Sequence, residues 1–300
     1  MELGLKGLKI FITAGASGIG RQIVESFLSE GADVSTCDID NTALAELRAA
    51  HPSVSAHQCD VSNSSAIQAL IKNTADEMGG LDCLVNNAGI AGPTARIEDI
   101  DDEAWHNCVN ICLSSQFYCI KAALPYLRDS KNASIVNLSS AAGKFGFPLR
   151  SPYAAAKWGV VGLTKTLSIE LGQDNIRVNA ILPGLVDGDR IRRVIEAKSQ
   201  QRGLSFADVE AEALSFSSIK DYVSPKHLAD QILLLASTIE TQSLPSLISV
   251  SASPRFKTPT SMSPLIRFVL IGATPLYATI VGSFNFPFFV KAIALTSSIP

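Results

Sequence analysis

Short apolar runs alternate with segments of helical periodicity along most of the chain. The first run, 9–13 (KIFIT), is rich in β-branched residues and ends at a glycine-rich turn. Segment 18–30 then places apolar residues three and four positions apart, as one face of a helix requires, and Gly31 follows as a helix end. By the same criteria we predict further strands at 33–37, 54–58, 83–85, 134–138, 177–182 and 247–251, and further helices at 41–50, 64–78, 103–127, 153–171, 191–202, 206–216 and 227–237.

This alternation predicts an α/β fold. Strands that alternate with helices form βαβ units, which build a parallel sheet with helices on both faces. We therefore expect a Rossmann-like, doubly wound parallel sheet. Such sheets bind ligands at the carboxyl ends of their strands, and the most informative sequence motifs lie at those ends.

The turn after the first strand, 13–20 (TAGASGIG), follows a strand and opens a helix. In that context, glycines let the backbone approach a pyrophosphate, and the first N–H groups of the helix stabilise the anion. A glycine-rich turn without a ligand is the alternative. The candidate cofactor contacts in this turn are Gly15, Ser17, Gly18, Ile19 and Gly20.

Asp38 ends the second predicted strand, eighteen residues after Gly20. A carboxylate at this place accepts hydrogen bonds from the adenosine ribose and repels a 2′-phosphate, which favours NAD over NADP. No Arg or Lys stands nearby in the turn to bind such a phosphate. NADP is not excluded, and a solvated loop carboxylate is the alternative for Asp38.

Seven short motifs occur in a fixed order: TAGASGIG (13–20), CDV (59–61), NNAG (86–89), VN (109–110), NLSS (137–140), YAAAK (153–157) and PG (183–184). Each is weak alone, but together and in this order they make residues 5–252 resemble a short-chain dehydrogenase/reductase of the free-standing, single-domain kind. The resemblance implies an NAD(P)(H)-dependent oxidoreductase that transfers a hydride between nicotinamide and a secondary alcohol or ketone.

The resemblance also implies a catalytic set. Tyr153 would be the general acid/base, and Lys157, one helical turn further on, would favour its phenolate and hold the nicotinamide ribose. Ser140 would hydrogen-bond the substrate oxygen, with neighbouring Ser139 as the fallback. Asn110 would support a water-mediated proton relay through Lys157, although an Asn on a helix can also simply bond a backbone carbonyl.

Further cofactor contacts follow from the same resemblance. Asp60 and Val61 would meet the adenine, and Asn87 the adenosine ribose region. The family often has a Thr after the Pro-Gly pair, which bonds the nicotinamide carboxamide, and this chain has none there. The residues expected to flank the nicotinamide are Pro183, Gly184 and Val186, besides Tyr153 and Lys157.

Composition narrows the remaining classes of protein. The 300 residues are 47% hydrophobic and 18% charged with a net charge of −3, which excludes wholesale disorder and disfavours a nucleic-acid partner. Six cysteines without a CxxC pair indicate reduced thiols, and the four histidines show no metal spacing. The N-terminus resembles no secretory signal. We expect a cytoplasmic protein without a metal site.

The last sixty residues differ in composition. Residues 241–300 contain none of the 28 acidic side chains and half of the 14 prolines. We therefore divide the chain into a dinucleotide-binding domain, 1–252, and an atypical extension, 253–300. Its uncharged stretch 268–290 is long enough to cross a bilayer as a helix. We consider three interpretations of this extension. It is a membrane anchor, or a tail that packs on the domain or on a partner subunit, or sequence that was not selected for this fold, such as a shifted reading frame.

Two hypotheses about function follow from these features. The first is the oxidoreductase, expected as a homodimer or homotetramer because the helices at 103–127 and 153–171 correspond to those that pair subunits in the family. The second is a non-catalytic dinucleotide-binding protein that the extension tethers to a membrane or partner. The complete Ser, Tyr and Lys set favours the enzyme.

Overall fold

Seven parallel strands form one sheet in the computed structural model, which describes residues 3–215, 217, 219–237 and 248–251. Their order is β3-β2-β1-β4-β5-β6-β7. The chain therefore moves outward from β1 to β3 and resumes on the other side of β1 at β4. The strands are β1 (Lys9–Thr13), β2 (Asp33–Asp38), β3 (Ser55–Gln58), β4 (Cys83–Asn86), β5 (Ser134–Leu138), β6 (Arg177–Pro183) and β7 (Ile248–Ser251).

Helices connect these strands in the predicted order and cover both faces of the sheet. On one face, α1 and α9 bury Phe27 and Ile232 against β1, β4 and β5. On the other, α3 and α5 bury Ile71 and Leu127. The helices are α1 (Gly18–Ser29), α2 (Asn41–Ala50), α3 (Ser64–Met78), α4 (Asp102–Val109), α5 (Ser115–Asp129), α6 (Ser151–Glu170), α7 (Asp189–Arg202), α8 (Phe206–Ser215) and α9 (Pro225–Ala236). The predicted doubly wound α/β fold is confirmed.

The order of strands reverses between β1 and β4, and this reversal positions the site. In open parallel sheets, the loops that leave two strands on either side of such a reversal diverge and open a crevice. Thr13 ends β1 and Asn86 ends β4, so the glycine-rich turn and the segment after β4 border the same crevice.

The predicted helix at 103–127 is interrupted. A π-helical turn, Asn110–Ser114, separates α4 from α5. Such a turn has wider hydrogen-bond spacing and inserts one residue into the helical repeat, and it is frequent at functional sites. Apolar periodicity does not reveal it, because the helix continues in the same direction on both sides. The turn determines which side chains of this segment face the core.

The predicted extension 253–300 and its apolar stretch 268–290 lie outside the described residues, as does Phe216 at the end of the helix predicted at 206–216. The division into two domains and the three interpretations of the extension stay predictions. Among the helices that the structure describes, none has the length and apolar character needed to cross a bilayer.

Candidate active site

Close backbone packing explains two of the glycines in the turn after β1. A Cβ on Gly15 would lie 2.1 Å from Thr36 Oγ1, and a Cβ on Gly20 would lie 1.9 Å from the carbonyl oxygen of Ala14. Real Cβ atoms do not approach so closely, so both positions require glycine. These contacts press the turn against β2 and bring the start of α1 to the end of β1.

Gly18, the first residue of α1, has a different environment. Its φ is +53°, and a Cβ built on it meets no atom within 4 Å. Ser17 precedes the helix but caps none of its N–H groups with its side chain. The positive end of α1 therefore opens onto free space beside a residue without a side chain, an arrangement that fits the pyrophosphate of a dinucleotide.

Asp38 lies beside this turn at the end of β2. It is only 8% exposed, so the alternative of a solvated loop carboxylate does not hold. Its Oδ2 accepts a hydrogen bond from Ala16 N at 3.1 Å, and its Oδ1 accepts one from Asp40 N at 3.2 Å. The carboxylate is thus fixed between the glycine-rich turn and the loop after β2.

The other predicted cofactor residues border the same crevice. Asn87 donates from Nδ2 to the carbonyl oxygens of Thr13 and Ala14, at 3.0 Å each, which joins the end of β4 to the turn. Asp60 is exposed after β3, whereas Val61 packs into the core. Ile19 is half-buried on α1. At the end of β6, Pro183 is buried, Gly184 is exposed, and Val186 forms a β-bridge with Val223.

Tyr153 and Lys157 share one face of α6. Lys157 is 3% exposed, and its Nζ lies 5.6 Å from the centroid of the Tyr153 ring, which is half-buried. Nζ donates to the carbonyl oxygen of Leu138 at 2.8 Å. Lys157 is therefore not a solvated surface lysine, and Tyr153 is only partly exposed.

The two adjacent serines after β5 have different partners. Ser139 Oγ donates to the carbonyl oxygen of Lys157 at 2.7 Å, which fixes α6 to the end of the strand. Ser140 Oγ instead accepts a hydrogen bond from Ala142 N at 3.2 Å, which leaves its own hydroxyl proton free to be donated. The Ser139 hydroxyl proton is thus already used in the fold, whereas the Ser140 hydroxyl proton bonds no described residue.

Asn110 lies in the π-helical turn and bonds groups other than Lys157. Its Nδ2 donates to the carbonyl oxygen of Ser62 at 3.2 Å, and its Oδ1 accepts from Tyr118 Oη at 3.3 Å. This is the alternative in which the amide bonds a backbone carbonyl. The structure thus ties Asn110 to the loop after β3, and its part in a water-mediated relay through Lys157 stays a prediction.

Cys112, two residues further along the turn, is the buried side chain beside Lys157. A Cβ on Gly89 would lie 3.5 Å from Lys157 Nζ and 3.7 Å from Cys112 Sγ, so both atoms border the same small space. A hydrogen bond from Cys108 and the charge of Lys157 lower the pKa of the Cys112 thiol, against the effect of its burial. Sequence reasoning missed this residue, although two cysteines four positions apart around Asn110 were visible.

The described residues contain no group of three or more side chains that could hold a metal ion, and the six cysteines, all within the described part, are free thiols. The polar groups described around the crevice instead include backbone amides, hydroxyls, the Asn87 side-chain amide, and the buried side chains of Asp38, Lys157 and Arg150. This set suits a dinucleotide and a proton-transferring phenol.

Residues 9–199 match the protein family described as short chain dehydrogenase, which is more than half of the chain. The chain belongs to the short-chain dehydrogenase family. The family resemblance of the seven motifs is thereby confirmed, and with it the assignment as an oxidoreductase. The match spans the glycine-rich turn, the Tyr153–Lys157 pair and the start of the segment after β6.

Three similar proteins illustrate the range of this family. A probable galactose dehydrogenase of Rhizobium meliloti is 37% identical over 195 residues, which are 63% of this chain and 76% of that protein. The NAD(+)-dependent 2-dehydro-3-deoxy-L-rhamnonate dehydrogenase of a Sphingomonas strain is 36% identical over 57% of this chain and 69% of its own. Among solved structures, a single-residue variant of actinorhodin polyketide ketoreductase with NADPH is 30% identical, has a TM-score of 0.76, and is matched over 82% of this chain and 96% of its own.

Proposed function

We propose that this short-chain dehydrogenase is an NAD(H)-dependent enzyme that interconverts a secondary alcohol and a ketone at Tyr153. The observation that carries the proposal is the burial of Lys157 with its ammonium beside the phenol ring. A buried ammonium without a counter-charge costs free energy. Placed beside a phenol that must lose and regain a proton, the same charge stabilises the phenolate and has a chemical purpose.

Each residue of the set has one task in this proposal. The bound nicotinamide supplies or accepts the hydride. Tyr153 Oη takes the proton of the alcohol in the oxidation and returns it to the ketone oxygen in the reduction. Lys157 stabilises the phenolate between these steps. Ser140, whose Oγ already accepts a hydrogen bond from Ala142 N at 3.2 Å, donates its own proton to the substrate oxygen and so orients it.

The cofactor preference rests on Asp38. Its buried carboxylate is held beside the glycine-rich turn, where it would accept hydrogen bonds from ribose hydroxyls and repel an additional phosphate. The compared proteins include both an NAD(+) enzyme and an NADPH complex. The relatives therefore do not decide the cofactor of this chain, and the proposed preference for NAD rests on Asp38.

The alternative of a non-catalytic dinucleotide-binding protein has no observation in its favour. A protein that only binds a dinucleotide needs no buried lysine beside a half-buried tyrosine. The predicted cytoplasmic location, the homodimer or homotetramer and the membrane association through 268–290 remain proposals beside this function.

A fluorescence titration of the purified full-length chain with NADH and, in parallel, with NADPH tests the cofactor site. We expect NADH to bind at least tenfold more tightly, since one buried like-charge contact costs about 1–2 kcal/mol. A panel of secondary alcohols and ketones then tests turnover. Equal or tighter binding of NADPH would contradict the Asp38 argument, and binding of neither cofactor would contradict the proposed function.

A further inference from the structure

A buried cation faces the ring of Tyr153 from the loop before α6. Arg150 is 3% exposed, and its Cζ lies over the Tyr153 ring, 4.8 Å from the centroid. Tyr153 is therefore flanked by two cations, the Lys157 ammonium at 5.6 Å and the Arg150 guanidinium. The proposed mechanism uses only the Lys157 ammonium, so the Arg150 guanidinium calls for a separate explanation.

The hydrogen bonds of Arg150 leave part of its guanidinium without a partner. Nη2 donates to the carbonyl oxygen of Ala91, while Nε is buried and bonds no described residue. Among the residues that the structure describes, no carboxylate forms an ion pair with Arg150. A buried guanidinium without a counter-charge is costly, because it has lost its hydration and received no anion in return.

A second cation, Lys198, approaches the same loop from α7. Its Nζ lies 4.8 Å from the centroid of the Phe147 ring, and Phe147 accepts a backbone hydrogen bond from Arg150 N. Burial, and then the charge of Arg150, lower the pKa of Lys198. The two cations thus lie against the same loop and repel each other.

Acidic side chains on the segment after β6 bond residues other than Arg150 and Lys198. Glu212 forms an ion pair with Arg202 at 2.7 Å, and Asp187 forms one with Arg192 at 3.0 Å. Glu210 accepts a hydrogen bond from the hydroxyl of Tyr222. None of these three carboxylates forms an ion pair with Arg150 or Lys198, although the charge of Glu212 acts on Lys198 from a distance.

We propose that Arg150 and Lys198 form a binding site for a carboxylate of the substrate. This inference rests on the proposed function and narrows its substrate class: because Arg150 lies against the ring whose hydroxyl reacts, the carboxylate is close to the reacting carbon. The substrate is then an α- or β-hydroxy acid, or the corresponding keto acid. A carboxylate matches the planar fork of a guanidinium and supplies the missing counter-charge.

Arg150 could instead have only a structural role, in which it fixes the loop to Ala91 and to the Tyr153 ring. Loss of a structural contact changes kcat/KM for all substrates alike, whereas loss of a carboxylate site changes it for the acid and not for its neutral counterpart. Lys198 separates the two explanations further, because it is half-buried, makes no hydrogen bond with a described residue and can be replaced without loss of a bond.

The test compares matched pairs of substrates with the full-length chain and its cofactor. α- and β-hydroxy acids are assayed beside their methyl esters, and keto acids beside the corresponding methyl ketones. We expect kcat/KM of the wild-type chain to be roughly ten- to a hundredfold higher for the acid than for its neutral counterpart. This is the factor that one hydrogen bond to a charged group contributes. Lys198→Met should lower kcat/KM for the acid about tenfold with little change for the ester, and Lys198→Arg should restore most of it.

Lys144→Met is the matched control. Lys144 lies on the same loop with its Nζ 5.8 Å from the centroid of the Phe145 ring, so its replacement removes a similar cation–ring contact away from Tyr153. We expect it to leave the preference for the acid unchanged. Because Arg150→Met removes a buried hydrogen bond and is expected to reduce stability, Arg150→Lys serves as the second variant of the site.

A binding readout decides the question if no member of the panel turns over. The fluorescence of the NADH complex is titrated with each keto acid and methyl ketone, and the acids should bind more tightly to the wild-type chain than to Lys198→Met. Equal preference for acids and neutral compounds, or a preference that Lys198→Met leaves intact, would overturn the carboxylate site while the proposed function stands. Failure to bind NADH would instead count against the proposed function itself.

Discussion

Ala14 adopts a left-handed backbone conformation, with a φ of 53°, in the turn after β1. This conformation costs an L-residue with a Cβ roughly 1–2 kcal/mol, which glycine avoids. The neighbouring Gly15 lies under a contact that excludes any Cβ. Both adjacent positions therefore favour glycine, the first because of its φ and the second because of its neighbours, yet the chain has alanine at the first.

Exchanging these residues should change stability in opposite directions. Ala14→Gly should raise the free energy of unfolding by about 1 kcal/mol or less, since the relief of strain is partly offset by the greater freedom of glycine in the unfolded chain. Gly15→Ala should lower it, because the new Cβ would collide with Thr36 Oγ1. Urea unfolding of both variants measures this. A stabilised Gly15→Ala, or a clearly destabilised Ala14→Gly, would contradict the described turn.

Cys112 should titrate at a lower pH than an ordinary thiol. The hydrogen bond from Cys108 and the charge of Lys157 lower its pKa in the folded chain. A lowered folded-state pKa stabilises the protein at pH values above the ordinary thiol pKa, and this contribution is lost as the pH falls through the folded-state value. Compared with Cys112→Ser, the wild-type chain should therefore lose stability on acidification.

Thiolate absorbance, followed against pH, measures this titration directly. Cys119→Ser is the matched control, because burial raises the pKa of Cys119 and the residue should contribute nothing near neutrality. An absorbance step at the ordinary thiol pH that Cys112→Ser removes, with none below it, would contradict the assigned role of Lys157 and Cys108.

At the scale of elements, the alternation of strands and helices could be predicted because each has its own hydrophobic period. The bounds of β1, α2 and α3 agree with the prediction, whereas the helix predicted at 103–127 is divided by a π-helical turn. That turn contains Cys112, whose thiol borders the same small space as the Lys157 ammonium. A pattern of apolar residues does not show how hydrogen bonds shift within a helix, so this part of the site could not be predicted.

The open start of α1 gives a prediction about cofactor binding. Gly18→Ala should lower the affinity for NADH about tenfold or more, because the methyl group would enter the space beside the first N–H groups of the helix. Gly203→Ala is the matched control: Gly203 has a similar φ of +65° and equally open surroundings, but it follows α7. Both variants carry the same backbone strain.

Comparison of the two variants separates strain from obstruction. We expect similar unfolding curves for both and weaker NADH binding for Gly18→Ala alone. If Gly203→Ala weakened binding as much as Gly18→Ala, the space at the start of α1 would not be the place where the pyrophosphate binds.

At the scale of the whole molecule, exposed apolar residues on α5 and α6 support the proposed oligomer. Phe117 is 49% exposed and Trp158 is 51% exposed. Between the two helices, Phe117 and Gly159 line one groove with Leu113 and Leu163. Large apolar side chains gathered on one surface of a protein mark an interface, and a second copy of this chain is the partner that the family resemblance implies.

Charges placed on this surface should dissociate the oligomer. We expect Phe117→Glu with Trp158→Glu to reduce the mass measured by light scattering to that of one chain, since a buried unpaired carboxylate opposes association. Ile97→Glu is the control, because Ile97 is exposed elsewhere. A wild-type chain that is already monomeric, or a double variant that stays associated, would contradict an interface at α5 and α6.

Much of the site could be predicted because it follows from residue order along the chain. The glycine-rich turn, Asp38, Ser140 and the pair on α6 each follow a recognisable strand or share a helical face. Arg150 and Lys198 could not be found in this way, because their role depends on the absence of a counter-charge among the described residues around them. The absence of a counter-charge depends on which residues the fold brings together, and no sequence motif shows it.

Turnover by Tyr153→Phe is the most direct test of the central claim. The variant removes one oxygen atom and leaves the glycine-rich turn and Asp38 unchanged, so we expect NADH to bind as before. We expect kcat to fall by roughly a hundredfold or more, because the enzyme has lost its general acid/base. Tyr126→Phe, which removes an exposed hydroxyl bonded to Asp76, should change neither. Wild-type turnover by Tyr153→Phe would contradict the assignment of Tyr153 as the proton-transferring group, and with it the proposed mechanism.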